Sequence, residues 1–360
     1  MSRPADGLPP GARRVAAWCV VGLLVAAVFV AMALLVVYLR AVTAPLAVAV
    51  LGSALLYPLH QRLVRWRLPR SAAAALTCLV LVVLIVGVGW ILVRLIADSA
   101  PKIGRQLSDA ADRLREQYGS AADPASQAAD GMRAFGGKLA SALASGVVGG
   151  VGIAIQLATG GILTLALTFF LLRDAHKLPA FTRAVVPGRY TDLTVKILRR
   201  AFLAVAGFMR GTTLIALIDA LFIALGLALL GVPRAEGLAA LVFVGAYVPY
   251  VGAFLSGLVA VLVAFADQGL GTALWALAVV LAVQQIEGNF LQPGIQSRTV
   301  SLHPAVVMVS VVAGGAVLGV LGAMLAVPAV AMVTSIIALL REERAKPDGP
   351  ENAGVSVCDT

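Results

Sequence analysis

The chain has 360 residues, 60% of them apolar and only 13% charged, against about 45–50% and 25% in an ordinary soluble domain. Uncharged runs of 18 residues or more recur along it, the length a hydrocarbon core about 30 Å thick demands of a helix. That excludes a soluble globular class, and the net charge of +10 does not indicate nucleic acid, because the basic residues sit in short segments between apolar runs, as in loops that face anionic lipid head groups.

A tail over residues 1–15 leads into a first span from about Ala16 to Leu39. Ala31-Met32-Ala33 has the look of a signal cleavage site, but the apolar run continues to Leu39 and suits a retained helix. A second span covers about Val42 to Leu59 and carries Pro45 and Pro58, and a third runs from about Ser71 to Val93, so that 16–93 holds three transmembrane helices. The loop between the second and third holds Arg62, Arg65, Arg67 and Arg70 without an acid, which places it, with the N-terminus, in the cytoplasm. Residues 94–145 hold seven basic and six acidic residues. Stripes at Ile103, Leu107, Ala110 and Leu114, and at Ala125, Ala128, Met132, Phe135, Leu139 and Ala142, predict an amphipathic helical hairpin joined near Asp123-Pro124 on the non-cytoplasmic side.

A core of helices four to eight is expected over 146–340. Gly146 and Gly150 form a GxxxG pair at the start of the fourth span, suited to close helix packing; the run lacks the G-K-[ST] ending of a phosphate loop. The segment 173–200 has seven Lys or Arg and reads as cytoplasmic, with an amphipathic helix over about Tyr190–Arg200, and the fifth span covers about Thr212–Gly231. Residues 238–266, interrupted by VPYVG at 248–252, and residues 304–340, broken by Gly314, Gly315, Gly319, Gly322 and Pro328, each count as one crossing around a span at 270–286. Either is alternatively a broken helix or re-entrant hairpin. Gly315 and Gly319 are assigned to helix packing, and residues 341–360 to a cytoplasmic tail. The fold class is therefore all-α: a polytopic membrane protein with about eight transmembrane helices, broken or re-entrant in its C-terminal half.

Three groups of residues are candidates for a substrate or ion pathway, since broken helices at membrane depth are tolerated where they line a polar cavity. In VPYVG, Pro249 removes a backbone donor, Gly252 loosens the chain and Tyr250 offers a hydroxyl; the bland alternative is a simple kink. The segment 284–304 gathers Gln284, Gln285, Glu287, Asn289, Gln292 and Pro293 and ends at His303-Pro304, a set suited to a polar solute or a cation, or else a solvated loop. Asp219 lies mid-span, where a carboxylate costs about 2.5–3.5 kcal/mol on insertion scales and a role with an ion, a proton or a partner is the default. No catalytic motif, cofactor site or metal-ligand spacing is present.

The order of FFLLRDAHKL (169–178), MRG (209–211), GVP (231–233), VPYVG (248–252), QQIEGNFLQPGI (284–295), LHP (302–304) and GGAVLGVLGAMLAVP (314–328) resembles the autoinducer-2 exporter (AI-2E) family of bacterial membrane proteins. The resemblance implies about eight transmembrane helices, homo-oligomers (pentamers in described members) and solute export across the plasma membrane. Some members resemble exporters of the small, polar, furanose-derived autoinducer-2, and others sodium or lithium/proton antiporters. Two residues depart from the family's pattern: Ala253 stands where proline often follows the VPYVG block, and Asp219 belongs to no family block. The expected partners are membrane lipids, further copies of the chain, and a small polar solute or a monovalent cation or proton. The expected function is a plasma-membrane permease, with antiport as one alternative and a non-transporting oligomeric scaffold as another.

Overall fold

In a computed structural model, residues 34–118, 150–296 and 303–345 are described, with scattered helical positions between 19 and 31. Gly146, the second amphipathic helix, nearly half of the first span, the N-terminal tail and residues 346–360 lie outside the described residues. Among the described residues the regular structure is entirely helical: α1 (Arg40–Arg65), α2 (Arg70–Tyr118), α3 (Gly150–Asp174), α4 (Leu178–Val185), α5 (Gly188–Leu229), α6 (Ala235–Gly245), α7 (Val251–Gln268), α8 (Leu270–Ile286) and α9 (Pro304–Ala345). Six helical stretches are long and apolar enough to cross a membrane, and α3, charged only at Arg173 and Asp174, has the same character.

Lipid offers a helix no hydrophobic reason to leave it, so contacts are made by small side chains that let backbones approach. Ala49, Ala54, Ala260, Ala264 and Ala276 are fully buried, while Leu274, Trp275, Phe254 and Leu225 face outward. Gly237 is the point at which α6 meets Leu95 of α2, and a Cβ there would stand 2.9 Å from the Leu95 Cβ. Large residues outside and small ones inside reverse the pattern of a soluble bundle.

Two long helices run through positions where the sequence suggests boundaries. The third span does not stop at Arg94: α2 is a single helix of 49 residues, of which Arg70–Leu95 is the apolar part. The first amphipathic stripe is thus its continuation, projecting beyond the membrane. The segment expected as a separate helix over Tyr190–Arg200 is likewise continuous with the fifth span in the 42-residue α5. Neither Arg94 nor Arg210-Gly211 breaks the helix, because a charged residue ends a membrane span without disturbing backbone hydrogen bonds.

The two irregular regions are hairpins, the alternative that the sequence left open, and this replaces the count of one crossing each. The first descends through α6, only 11 residues long, turns at 246–250, and returns through α7 to the end it came from, where Gln268 Nε2 donates to the Gly231 carbonyl at 2.6 Å. Its arms touch backbone to backbone at Gly245 and Gly252, where a Cβ on either would overlap the other's carbonyl. The second lies within α9, which reverses at Leu318 (φ −126°) and Gly319 (φ +63°, ψ −143°). Gly314 and Gly322 meet there in the same way, although eight positions along a straight helix would hold them about 12 Å apart. Gly319 therefore stands at the turn of the chain, and a Cβ added to Gly315 would meet that of Ala323 at 3.8 Å.

The hairpins enter from opposite ends. The second is anchored at the end where Lys196 pairs with Glu343 at 3.0 Å and Arg200 with Glu342 at 3.3 Å. That end also carries the Arg62–Arg70 junction, because α1 packs along the first half of α5. The first hairpin enters from the end where Arg234 pairs with Asp98. Long helix followed by hairpin thus occurs twice in opposite senses, α5 with α6–α7 and α8 with α9, and the tip of the first hairpin packs against the arms of the second at Val248, Val307, Val311 and Val327.

Candidate solute cavity

A helix places one residue in three or four on a given face, and α5 turns Phe208, Thr212, Ile215 and Asp219 toward the place where the first hairpin's tip lies beside the arms of the second. There they line a cavity of about 580 Å³, within the range of small-molecule sites. Along α5 the lining extends for about 16 Å, eleven residues at helical rise. Val248, Pro249, Tyr250 and Ala253 contribute from the first hairpin, and Pro304, Val307, Val327 and Ala331 from the second. The remaining wall comes from α8 and the wider π-helical turn that continues it over Glu287–Gln296, with Pro293 inside. Such turns widen the backbone helix and occur often at functional sites; here the turn brings Gln284, Glu287, Gly288, Gln292 and Pro293 to the cavity.

The polar groups of this cavity are not fully satisfied within the protein. Asp219 is 3% exposed, and its Oδ1 has no hydrogen-bond partner; the Thr212 hydroxyl, 6% exposed, has none either. Glu287 stands close enough to Asp219 for direct interaction between the carboxyl groups, and Gln292 Nε2 donates to Glu287 Oε1 at 3.1 Å, orienting it. Two carboxylates that near repel one another when both are charged, and a cation or a proton between them removes the repulsion. The pair offers hard oxygen donors, the kind that suits small cations, and the Thr212 hydroxyl lies two turns away on the same face of α5.

The first hairpin's tip is held in two ways. The hydroxyls of Tyr247 and Thr213 are hydrogen-bonded at 2.7 Å. Tyr250 has φ +63° and ψ −53°, with the Val251 amide donating to the Pro249 carbonyl at 2.7 Å. This is the γ-turn of positive φ, a strained conformation for a bulky residue, held at the cavity wall.

Of the residues singled out in the sequence, Asp219, Pro249, Tyr250, Gln284, Glu287, Gln292 and Pro293 come together here. Gly252 does not line the cavity; it makes the close crossing behind it. Gln285 and Asn289 face outward, with Asn289 Nδ2 donating to Gln285 Oε1 at 3.5 Å, because they lie on the opposite side of α8 from Gln284 and Glu287. His303 is exposed, and its Nδ1 accepts the Ala305 amide at 3.2 Å at the start of α9. Gly150 is the first residue of α3. Thr212 and Phe208 escaped the sequence reading, although a helical count of seven and eleven back from Asp219 leads to both.

The model of the family described as AI-2E family transporter matches residues 23–342. Among curated proteins the chain is similar to "Putative transport protein MT0215" of Mycobacterium tuberculosis (strain CDC 1551 / Oshkosh), 37% identical over 55% of this chain and 54% of that protein. It is also similar to "Putative transport protein YueF" of Bacillus subtilis (strain 168), 32% identical over 50% of this chain and 51% of the relative. "Putative permease PerM" of Escherichia coli (strain K12) is 29% identical over 56% and 55%. The matched stretch thus spans about half the length of each relative.

Proposed function

Since the chain belongs to the AI-2E family of transporters, we propose that it is a secondary transporter exporting a small polar solute across the bacterial plasma membrane, through the cavity between the first hairpin's tip and the arms of the second. The observation that carries this reading is the buried Asp219 carboxyl, its Oδ1 without a hydrogen-bond partner, and the unpartnered Thr212 hydroxyl, both lining a space of about 580 Å³ at membrane depth. Polar groups so placed are costly unless a ligand or water completes them. The printed names of the relatives, transport proteins and a permease, support the same class. The end bearing the arginine-rich junction and the C-terminus of α9 is the cytoplasmic one on the positive-inside rule, which puts both chain ends inside. In this reading Tyr250 shapes the path, and the protein works as a homo-oligomer without a chemical step.

The Asp219–Glu287 pair favours one second reading, antiport of sodium or lithium against protons. Purified full-length protein in sealed liposomes, with a pH-sensitive dye inside and sodium, lithium or no added salt outside, separates the two. A cation-dependent pH change lost in Asp219→Asn identifies antiport. No change in wild type, with autoinducer-2 flux that disappears in Glu287→Gln, identifies solute export. Function abolished by removal of 96–145 but untouched by both cavity substitutions would instead identify a scaffold and overturn the transport reading.

A further inference from the structure

A second concavity lies outside the solute cavity, between α1 and α5 at the basic end, with a volume of about 290 Å³. Its polar rim carries Gln61 from α1 and Arg199 and Arg210 from α5. Arg199 and Arg210 are eleven residues apart, three helical turns, and therefore share one face of α5. Tyr57 and Phe202, stacked edge to face with centroids 5.2 Å apart, form the wall between them, and Ala54, Pro58 and Leu203 make the rest apolar. One side of the groove is thus suited to charge and the other to hydrocarbon.

Their neighbours on α5 are differently provided for. Lys196 and Arg200 are paired with Glu343 and Glu342, whereas among the described residues neither Arg199 nor Arg210 has a carboxylate partner. Arg210 is also oriented: its Nε donates to the Ala206 carbonyl at 2.9 Å, which turns the guanidinium back toward the basic end. With Asp219 near mid-membrane, Arg210 is about 14 Å nearer that end, the edge of the hydrocarbon core, and Arg199 a further 16 Å or so outward. The two long side chains therefore bracket the level of lipid phosphates from below and above.

We propose that this groove between α1 and α5 binds the head group of an anionic phospholipid, with Arg199 and Arg210 on the phosphate, Gln61 on the polar head, and an acyl chain along Pro58 and Leu203. Guanidinium donors match phosphate oxygens in pairs, and basic pockets between transmembrane helices on the cytoplasmic side recognise anionic lipids in this way. The groove is separate from the solute cavity, so the proposal stands whether or not the transport reading does.

The test uses the full-length protein in neutral detergent, titrated with dioleoylphosphatidylglycerol, dioleoylphosphatidylcholine or inorganic phosphate. The readings are the unfolding midpoint, retained lipid phosphorus and oligomer size. Phosphatidylglycerol is expected to raise the midpoint of wild type and of the control Arg62→Gln, and the other two are not. Apparent affinity for it should fall about five-fold for each of Arg199→Gln and Arg210→Gln. If Arg210→Gln does not fold, Arg199→Gln and Gln61→Ala carry the test. An unchanged response in the groove variants overturns the proposal. So does inorganic phosphate acting as well as the lipid, which would make the ligand a free anion, or a change of oligomer size in the variants without lipid, which would make the groove an interface between copies.

Discussion

The reversal inside α9 can be tested with three alanines. Gly319 has φ +63° and ψ −143°, a combination that costs a residue with a Cβ about 1–3 kcal/mol. No atom lies within 4 Å of that Cβ, so the penalty is one of backbone conformation alone. Gly315 is helical, its Cβ would meet Ala323 at an ordinary 3.8 Å, and Gly315→Ala should gain about 0.8–1.0 kcal/mol from helix propensity. Gly322 is pressed against the Gly314 carbonyl, so Gly322→Ala must part the two arms, at about 1–3 kcal/mol. The hairpin thus predicts a gap of about 2–4 kcal/mol between Gly315→Ala and Gly319→Ala. A straight 42-residue helix predicts none, because all three glycines would then be interior helical positions that alanine improves. Denaturation of the purified variants in mixed detergent micelles, followed by intrinsic tryptophan fluorescence, measures the gap. Equal stabilisation of all three variants would refute the hairpin.

Other substitutions probe the same architecture. Tyr250→Gly relieves the positive-φ strain at the first hairpin's tip and should leave unfolding unchanged or harder by up to about 1–3 kcal/mol, although it removes a ring from the cavity wall; a clear loss of stability contradicts the strain. Tyr247→Phe breaks the 2.7 Å bond to Thr213 and should cost about 0.5–1.5 kcal/mol in the same denaturation, with faster amide exchange at 246–250 as its local sign. Gly237→Ala drives a methyl to 2.9 Å from the Leu95 Cβ and should cost about 1–3 kcal/mol by separating α6 from α2. Arg234→Ala removes the ion pair with Asp98, whose side chains are 42% and 44% exposed; screening by solvent limits that loss to about 1 kcal/mol or less, and a larger one would mean the pair is shielded in the folded protein.

Tertiary context accounts for where the polar residues of the C-terminal half divide. Gln284 and Gln285 are adjacent and chemically the same, yet one lines the cavity and the other faces outward, because successive residues of a helix point about 100° apart. The same rotation takes Asn289 away from Glu287. Sequence proximity brought all of them to notice; only the orientation of α8 against α5 separates them.

What the amino-acid sequence determined by itself is the class of molecule and the two regions, around VPYVG and the glycines of 314–322, where its spans are irregular. Uncharged runs and clustered arginines are local properties, and the need to satisfy every backbone polar group in hydrocarbon converts them directly into spans. Even the parity of the topology survives, since two hairpins counted as crossings leave the C-terminus at the same end as two hairpins that turn back. The tertiary structure alone decided that VPYVG and the glycines of 314–322 reverse the chain. A glycine permits a kink, a turn or a close contact equally, and the choice is made by what packs against it: Gly252 on Gly245, Gly322 on Gly314. It also brought Asp219 and Glu287, far apart in the chain, to one cavity with Thr212, because no local pattern specifies which faces of two helices meet.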